Sequence, residues 1–246
     1  MTYEARYCAF VDILGFTGLV ADLNAGRLTV PEMRDLLKEV HHPDVDRIKP
    51  FADSDFRAQS ISDAVCISTA NNPDGLAHIL HSLVALCFGL LKKGYFARGG
   101  LTKGRLYHDD EMVFGDALVH AHRLESTISR YPCILVPRSI AIGEASDIGE
   151  GLVCQANDGP FYVHTLMYLD LFATQPNSAV RRSFAASYND IGKILQKRFD
   201  EAVDTPQHFE KVQWFARYWN ETIRVRKLDV AKVNGPGVDP PPMVWG

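Results

Sequence analysis

Hydrophobic and polar positions along the chain follow two alternating rhythms. Residues 7–14 form a short, nearly continuous apolar run, the pattern of a buried strand. Residues 17–24 take a helical period. Pro31 opens a second helical stretch, because proline suits a first helical turn and Met33, Leu36, Leu37 and Val40 recur at helical spacing. Residues 56–61 and 65–69 read as two strands joined by a tight turn at Ser62-Asp63. After Asn71-Asn72-Pro73-Asp74-Gly75 interrupts the pattern, 76–91 carries the strongest helical signal in the chain. Residues 96–107 predict a strand with Gly99, Gly100 and Gly104 inside it, and such glycines mark a bulge or a close approach by another backbone or a ligand. A helix over 116–130 and a short strand over 133–136 follow. Strand, helix, strand, strand, helix, strand, helix, strand is the βαββαβ order of a ferredoxin-like α/β (α+β) sheet, extended by one further unit.

Beyond Asp170 the character changes. Residues 179–199 and 206–224 predict two long helices, the second carrying Trp214, Phe215, Tyr218 and Trp219. Residues 234–242, with Gly235, Gly237 and four prolines, predict a tail that continues neither a helix nor a central strand. The chain is therefore expected to divide into a domain over 1–170 and a helical extension with tail over 171–246.

Composition narrows the function classes. The 246 residues suit one domain with additions, and 46% hydrophobic with 23% charged residues is ordinary for a globular protein. A net charge of −4 with no run of Lys or Arg argues against nucleic-acid binding. Cys8, Cys66, Cys87, Cys133 and Cys154 show no metal-ligand spacing and mostly lie in apolar runs, which predicts reduced, buried thiols in a cytoplasmic protein. The first six residues lack the basic and apolar regions of a signal peptide. The apolar stretch 79–91, broken by His81 and Ser82, is too short to span a bilayer and reads as a core helix, so no membrane is expected as a partner.

Two stretches carry the chemistry. F-V-D-I-L-G-F-T at 10–17 and Q-S-I-S-D-A-V at 59–65 each place one aspartate, Asp12 and Asp63, at the edge of an apolar, strand-like run. An ionised carboxylate there is costly to bury without a partner. Two such carboxylates on adjacent strand ends can hold hard divalent cations through oxygen ligands, and those cations can grip a triphosphate. Gly15 and Thr17 open the helix after Asp12, so its free backbone N–H groups would face phosphates.

The residues also resemble a family. F-V-D-I-L-G-F-T at 10–17 is similar to the first metal motif of class III nucleotidyl cyclases, and S-D-A-V at 62–65 to their second. R-G-G-L-T-K-G at 98–104 resembles the strand between. F-G-D-A-L-V-H-A-H-R-L-E-S at 114–126 resembles the helix carrying their catalytic arginine. The four motifs run in the family's order over about 9–126. A closer resemblance is to the bacterial Pycsar pyrimidine cyclases, whose helical end carries K-x-x-W…Y-x-N, approximated by Lys211, Trp214, Tyr218 and Asn220. The resemblance implies a class III cyclase core that converts a nucleoside triphosphate to its 3′,5′-cyclic monophosphate and pyrophosphate. It implies that Asp12, Asp63 and the backbone of Ile13 hold two Mn²⁺ or Mg²⁺ ions, with Gly15, Phe16 and Thr17 against the phosphates. It also implies that Arg123 stabilises the transition state. Active sites at a homodimer interface would make Arg123 act on the partner's aspartate pair.

Departures from the family's pattern bear on substrate. Gln59 stands where purine cyclases carry Lys, and Met112 where they carry an acidic or small polar residue, so the ionic reading of a purine is missing. Strand alternation puts Arg57 on the face of Gln59, and both could reach a base edge. The family's transition-state Asn aligns with Val119, leaving that role unfilled or to His120 or His122. The expected activity is a uridylate cyclase, making cUMP from UTP as a second messenger read by a separate effector in anti-phage defence. The alternatives are a cytidylate, adenylate or guanylate cyclase, or a degenerate cyclase-like module that binds nucleotide or protein without turnover. Plainer readings compete: each Asp as a helix cap, Arg123 with Glu125 as surface charge, Arg57 and Gln59 as edge-strand polar groups, and the Trp214–Trp219 cluster as core or dimer contact.

Overall fold

The computed structural model describes residues 2–41, 51–148, 151–156, 159–174, 178–238 and 243–244. The first half runs β1 (Glu4–Leu14), α1 (Phe16–Asn24), α2 (Val30–His41), β2 (Arg57–Ile61), β3 (Ala64–Ala70), α3 (Pro73–Lys92) and β4 (Phe96–His108). Then follow β5 (Val113–Phe114), α4 (Asp116–Arg123), a π-helical turn over Leu124–Ile128 and β6 (Ile134–Val136). The remainder is β7 (Val153–Ala156), β8 (Phe161–Val163), α5 (Met167–Thr174), α6 (Ser178–Ala202), α7 (Pro206–Arg226) and β9 (Met243–Val244). The sheet order is β2-β3-β1-β4-β6-β8-β7-β9, with β5 paired to β4. β1 to β4 pair antiparallel in the order β4-β1-β3-β2, the ferredoxin-like core expected from the element order. β6 joins β4 in parallel and extends the sheet.

Alternation along β1 sorts the two faces. Tyr7, Ala9, Val11 and Ile13 point into a core built with α3, whose Leu76, Ile79, Leu80, Leu83, Leu86 and Leu90 are all buried there. Cys8 and Phe10 point to the opposite face, against Ala117 and Ala121 of α4. Gly100 explains how α4 comes so close. A Cβ on Gly100 would lie 2.4 Å from Leu124 Cβ and 2.7 Å from the Ala121 carbonyl oxygen, so the helix rests on bare backbone. Asn72 caps α3 by accepting from the Gly75 N–H at 2.7 Å, and Pro73 occupies the first turn.

Several boundaries differ from the sequence reading. α3 has 20 residues, long and apolar enough by length and composition to cross a membrane, but 72% of its apolar window is buried inside the fold. The helix expected over 116–130 is α-helical only to Arg123 and then widens into a π turn. The short strands β7 and β8 and helix α5 went unread, because three- or four-residue strands present too little alternation to detect. The predicted tail is followed by β9, which pairs with β7 at the sheet edge; residues 239–242 of the tail lie outside the described residues. α6 and α7 form as expected. Trp214, Tyr218 and Trp219 are core residues, packed with Phe96, Leu135 and Tyr162 of the sheet. The boundary expected near residue 170 falls inside α5.

Candidate active site

β1 carries Asp12 to the end of the strand beside the hairpin turn between β2 and β3. The turn is tight, with Ser62 at φ +61°, and it holds Asp63 against β1 through the Ile13 N–H, which donates to the Asp63 carbonyl at 3.3 Å. In the register Asp12 faces Ala64, the residue after Asp63. The two carboxylates therefore meet, and they share a hydrogen bond. The Asp12 carboxyl is pushed up to about 7, first by burial, then by the charge of Asp63 and the bond to it, and also by Glu125; Arg98 works against these. A carboxylate pair in this state lacks positive charge.

The loop after Asp12 suits an anion. Gly15 takes a left-handed φ of +84°, with nothing within 4 Å of where its Cβ would be. α1 begins at Phe16 with no side-chain hydrogen bond capping its first turn. Gly15 and Thr17 are exposed, while Phe16 leans on the core. The donor set fits a hard cation in kind: carboxylate oxygens of Asp12 and Asp63 with the main chain at Ile13 between them. Among the described residues no three His, Cys, Asp or Glu side chains gather as a ready-made metal cage, so any ion here would complete its shell with substrate oxygens or water.

Two charged residues beside Asp12 had no assigned role in the sequence reading. Arg98 on β4, in register with Asp12, lies 3.7 Å from its carboxylate and 2.7 Å from that of Glu125. Glu125 is buried rather than the surface charge that a plainer reading allowed, on the same helix face as Ala117 and Ala121. Arg98 Nε is buried without a hydrogen-bond partner among the described residues. The signal for Arg98 was available in R-G-G-L, since a cation flanking two glycines under a helix has little room to leave. The signal for Glu125 was the helical period itself, which puts it one and two turns after Ala121 and Ala117, the buried residues of α4.

The base-reading candidates come together in part. Arg57, Gln59 and Asp12 lie on one face of the sheet, as alternation predicts, with Gln59 two strands from β1. Gln59 donates from Nε2 to the Glu111 carbonyl at 3.2 Å, which seats it against the turn that presents Met112. Met112 is exposed, and its N–H is held by Asp109 at 2.8 Å. The Gln59 Oε1 is buried and has no partner among the described residues. Arg57 is committed elsewhere: it donates to Asp55 at 3.0 and 3.2 Å and to the His108 carbonyl at 2.8 Å.

Arg123 stands apart. It is exposed at the end of α4, lining a cavity of about 490 Å³ with Thr102, Lys103, His120 and Glu144. Among the described residues no hydrogen bond or ion pair holds its guanidinium, and none joins it to Asp12 or Asp63. Of the residues near the missing Asn, Val119 is exposed, His120 lines Arg123's cavity, and His122 packs its ring edge-on against Phe10 at 5.1 Å.

No family model and no curated protein matches the sequence. Solved structures that the chain is similar to include a bacterial light-regulated adenylyl cyclase, at 16% identity and a TM-score of 0.44 over 65% of this chain. The chain spans about half of that structure, 52%. The catalytic core of a rhodopsin-guanylyl cyclase with converted specificity, in complex with ATPαS, matches at 17% identity and a TM-score of 0.45 over 65% of this chain and 95% of its own. An adenylate/guanylate cyclase/hydrolase from Silicibacter pomeroyi matches at 19% and 0.41, with the same coverage. At such scores these likenesses add nothing to what Asp12 and Asp63 themselves argue.

Proposed function

We propose that this protein is a nucleotidyl cyclase that converts a pyrimidine nucleoside triphosphate, UTP foremost, to its 3′,5′-cyclic monophosphate. The 3′-oxygen attacks the α-phosphorus, the bond to the bridging oxygen breaks, pyrophosphate leaves and the hydroxyl proton is lost. The observation that carries the reading is the meeting of Asp12 and Asp63 beside an uncapped helix start. It joins crowded negative charge with unclaimed N–H donors, as a triphosphate brought in with divalent cations requires. Two Mg²⁺ or Mn²⁺ ions on these carboxylates would supply positive charge at the reacting phosphate and acidify the attacking hydroxyl. The N–H groups at Gly15, Phe16 and Thr17 take the phosphates. Arg98 adds fixed positive charge beside Asp12, held in place by Glu125.

Arg123 makes no hydrogen bond or ion pair with its own chain's Asp12 or Asp63 among the described residues and lines a separate cavity, which supports a homodimer in which each copy lends its arginine to the other's site. Gln59, with one buried acceptor open, offers a partner to the N3–H of uracil, and Arg57 contributes charge rather than a free hydrogen-bonding fork. The cyclic product would act through a separate effector, in a cytoplasmic anti-phage response.

Purified protein incubated with UTP, CTP, ATP or GTP and Mn²⁺ or Mg²⁺, with products resolved by mass spectrometry, tests the reading. The expected result is cUMP with pyrophosphate, a slower cCMP and little purine product. Equal turnover of ATP or GTP would overturn the pyrimidine assignment. Nucleotide binding without any cyclic product would make the chain a binding module.

A further inference from the structure

A second charged cavity lies far along the chain from Asp12, among the C-terminal helices. About 340 Å³ in volume, it is bounded by the end of α5 at Phe172, the first turns of α6 at Arg181 and Arg182, and the end of α7 at Arg226 and Lys227. One acid, Asp229, joins the lining. Arg226 is neutralised by Asp170, to which it donates two hydrogen bonds at 2.6 and 2.9 Å. The side chains of Arg181, Arg182 and Lys227 make no hydrogen bond or ion pair among the described residues. In a chain of net charge −4 this is a concentrated positive field.

The placement of these cations is informative. Arg226 and Lys227 end a helix, where positive charge complements the helix dipole and needs no further cause. Arg181 and Arg182 are the reverse case. They stand near the positive end of the 25-residue α6, whose first turn holds no acid. Two arginines beside a helix start repel its dipole, and an anion seated between them and Lys227 relieves both charges together. The cavity has the volume of a small-ligand site and an aromatic wall at Phe172.

We propose that this cavity binds a phosphate-bearing anion at Arg181, Arg182 and Lys227, as a site separate from the one at Asp12 and independent of the cyclase reading. The phosphate could belong to a soluble metabolite or to a lipid headgroup, and the exposed Phe184, packed against Phe172 at 6.4 Å, offers an apolar neighbour to either.

The test uses the full chain in EDTA, which removes metal-dependent binding at Asp12 and Asp63. Calorimetric titration with inorganic pyrophosphate, and co-sedimentation with phosphatidylcholine vesicles with or without phosphatidylserine, are run on wild type, Arg181→Gln/Arg182→Gln, Lys227→Asn and Asp63→Ala. Circular dichroism confirms that each variant is folded. Saturable binding of pyrophosphate, weakened roughly tenfold or more by the double arginine variant, weakened by Lys227→Asn and unchanged by Asp63→Ala, supports a soluble ligand. Binding only to phosphatidylserine vesicles, with the same dependence on the three cations, supports the headgroup form of the site. Absence of binding to both probes, or binding that is indifferent to the three cations, overturns the proposal.

Discussion

Asp12 and Asp170 are equally exposed carboxylates, each with 20% of its side chain open, yet their surroundings treat the charge in opposite ways. Asp12 is pushed up by burial, by Asp63 and by Glu125. Burial would raise Asp170 as well, but the His164 ring nitrogen at 3.4 Å and two hydrogen bonds from Arg226 outweigh it and hold Asp170 below the usual carboxylate range. The elements around Asp170 are tied together: the His164 ring shares a 2.6 Å bond with the Tyr218 hydroxyl, which also accepts from the Leu166 N–H. Around Asp12 the single nearby cation among the described residues, Arg98, is 3.7 Å away and pairs more closely with Glu125 at 2.7 Å. The first pattern, an acid met by cations, is that of a joint between elements; the second, an acid raised by neighbouring acids, is the perturbation that marks a candidate functional site.

The largest expected effect separates the two aspartates by activity. Asp12→Ala and Asp63→Ala should each lower cyclisation by more than roughly 100-fold, the ceiling typical of substitutions one shell out from a metal. Their melting temperatures should be unchanged or higher, since removing one of two crowded carboxylates relieves repulsion. Wild-type turnover by either variant would remove the pair from the mechanism.

A shared site can be tested by mixing. Asp63→Ala and Arg123→Ala proteins, each inactive alone, should recover about a quarter of wild-type activity after equal subunit exchange, because half of the dimers then hold one intact site of two. No recovery, once native mass spectrometry shows heterodimers, would rule out a site shared between subunits.

Asp170 should report through stability instead. Asp170→Asn is expected to cost about 1–3 kcal/mol in urea unfolding while leaving turnover per folded molecule intact. The pH dependence follows from the lowered pKa. Above the ordinary carboxylate range the bonded, ionised Asp170 contributes its full stability, and this is lost as pH falls through the folded-state value, where the unfolded chain binds the proton more readily. The acid limb of unfolding should be shallower in Asp170→Asn than in wild type.

The smallest effect concerns base choice. Gln59→Ala should raise the UTP KM or narrow the preference for UTP over CTP, within the 1–3 kcal/mol of an unpaired buried acceptor. Unchanged kinetics with both substrates would make Gln59 a structural anchor for the Glu111 carbonyl.

The same contrast explains what the sequence disclosed. Asp12 and Asp63 were legible because an acid at the edge of an apolar strand is a local anomaly. The ferredoxin-like order was legible because β1, β3, α3 and β4 are long enough to carry a period. Glu125 shares the helix face of Ala117 and Ala121, but that its buried carboxylate meets Arg98 from another strand is a tertiary fact that spacing alone does not give. Arg57 illustrates a different limit. Alternation gives its face correctly, but that Asp55 and the His108 carbonyl claim its guanidinium is a tertiary fact.

Gly100 gives the site a mechanical property. The helix end that rests on it carries Arg123 outward and Glu125 inward within a single turn, pivoting on Ala121 and Leu124. A methyl group at residue 100 would act as a shim, lifting that end of α4 away from the sheet. Glu125 would withdraw from Arg98 on one side while Arg123 swung on the other. In a dimer of the kind proposed, one added carbon would therefore detune a chain's own carboxylate site and its neighbour's at the same time.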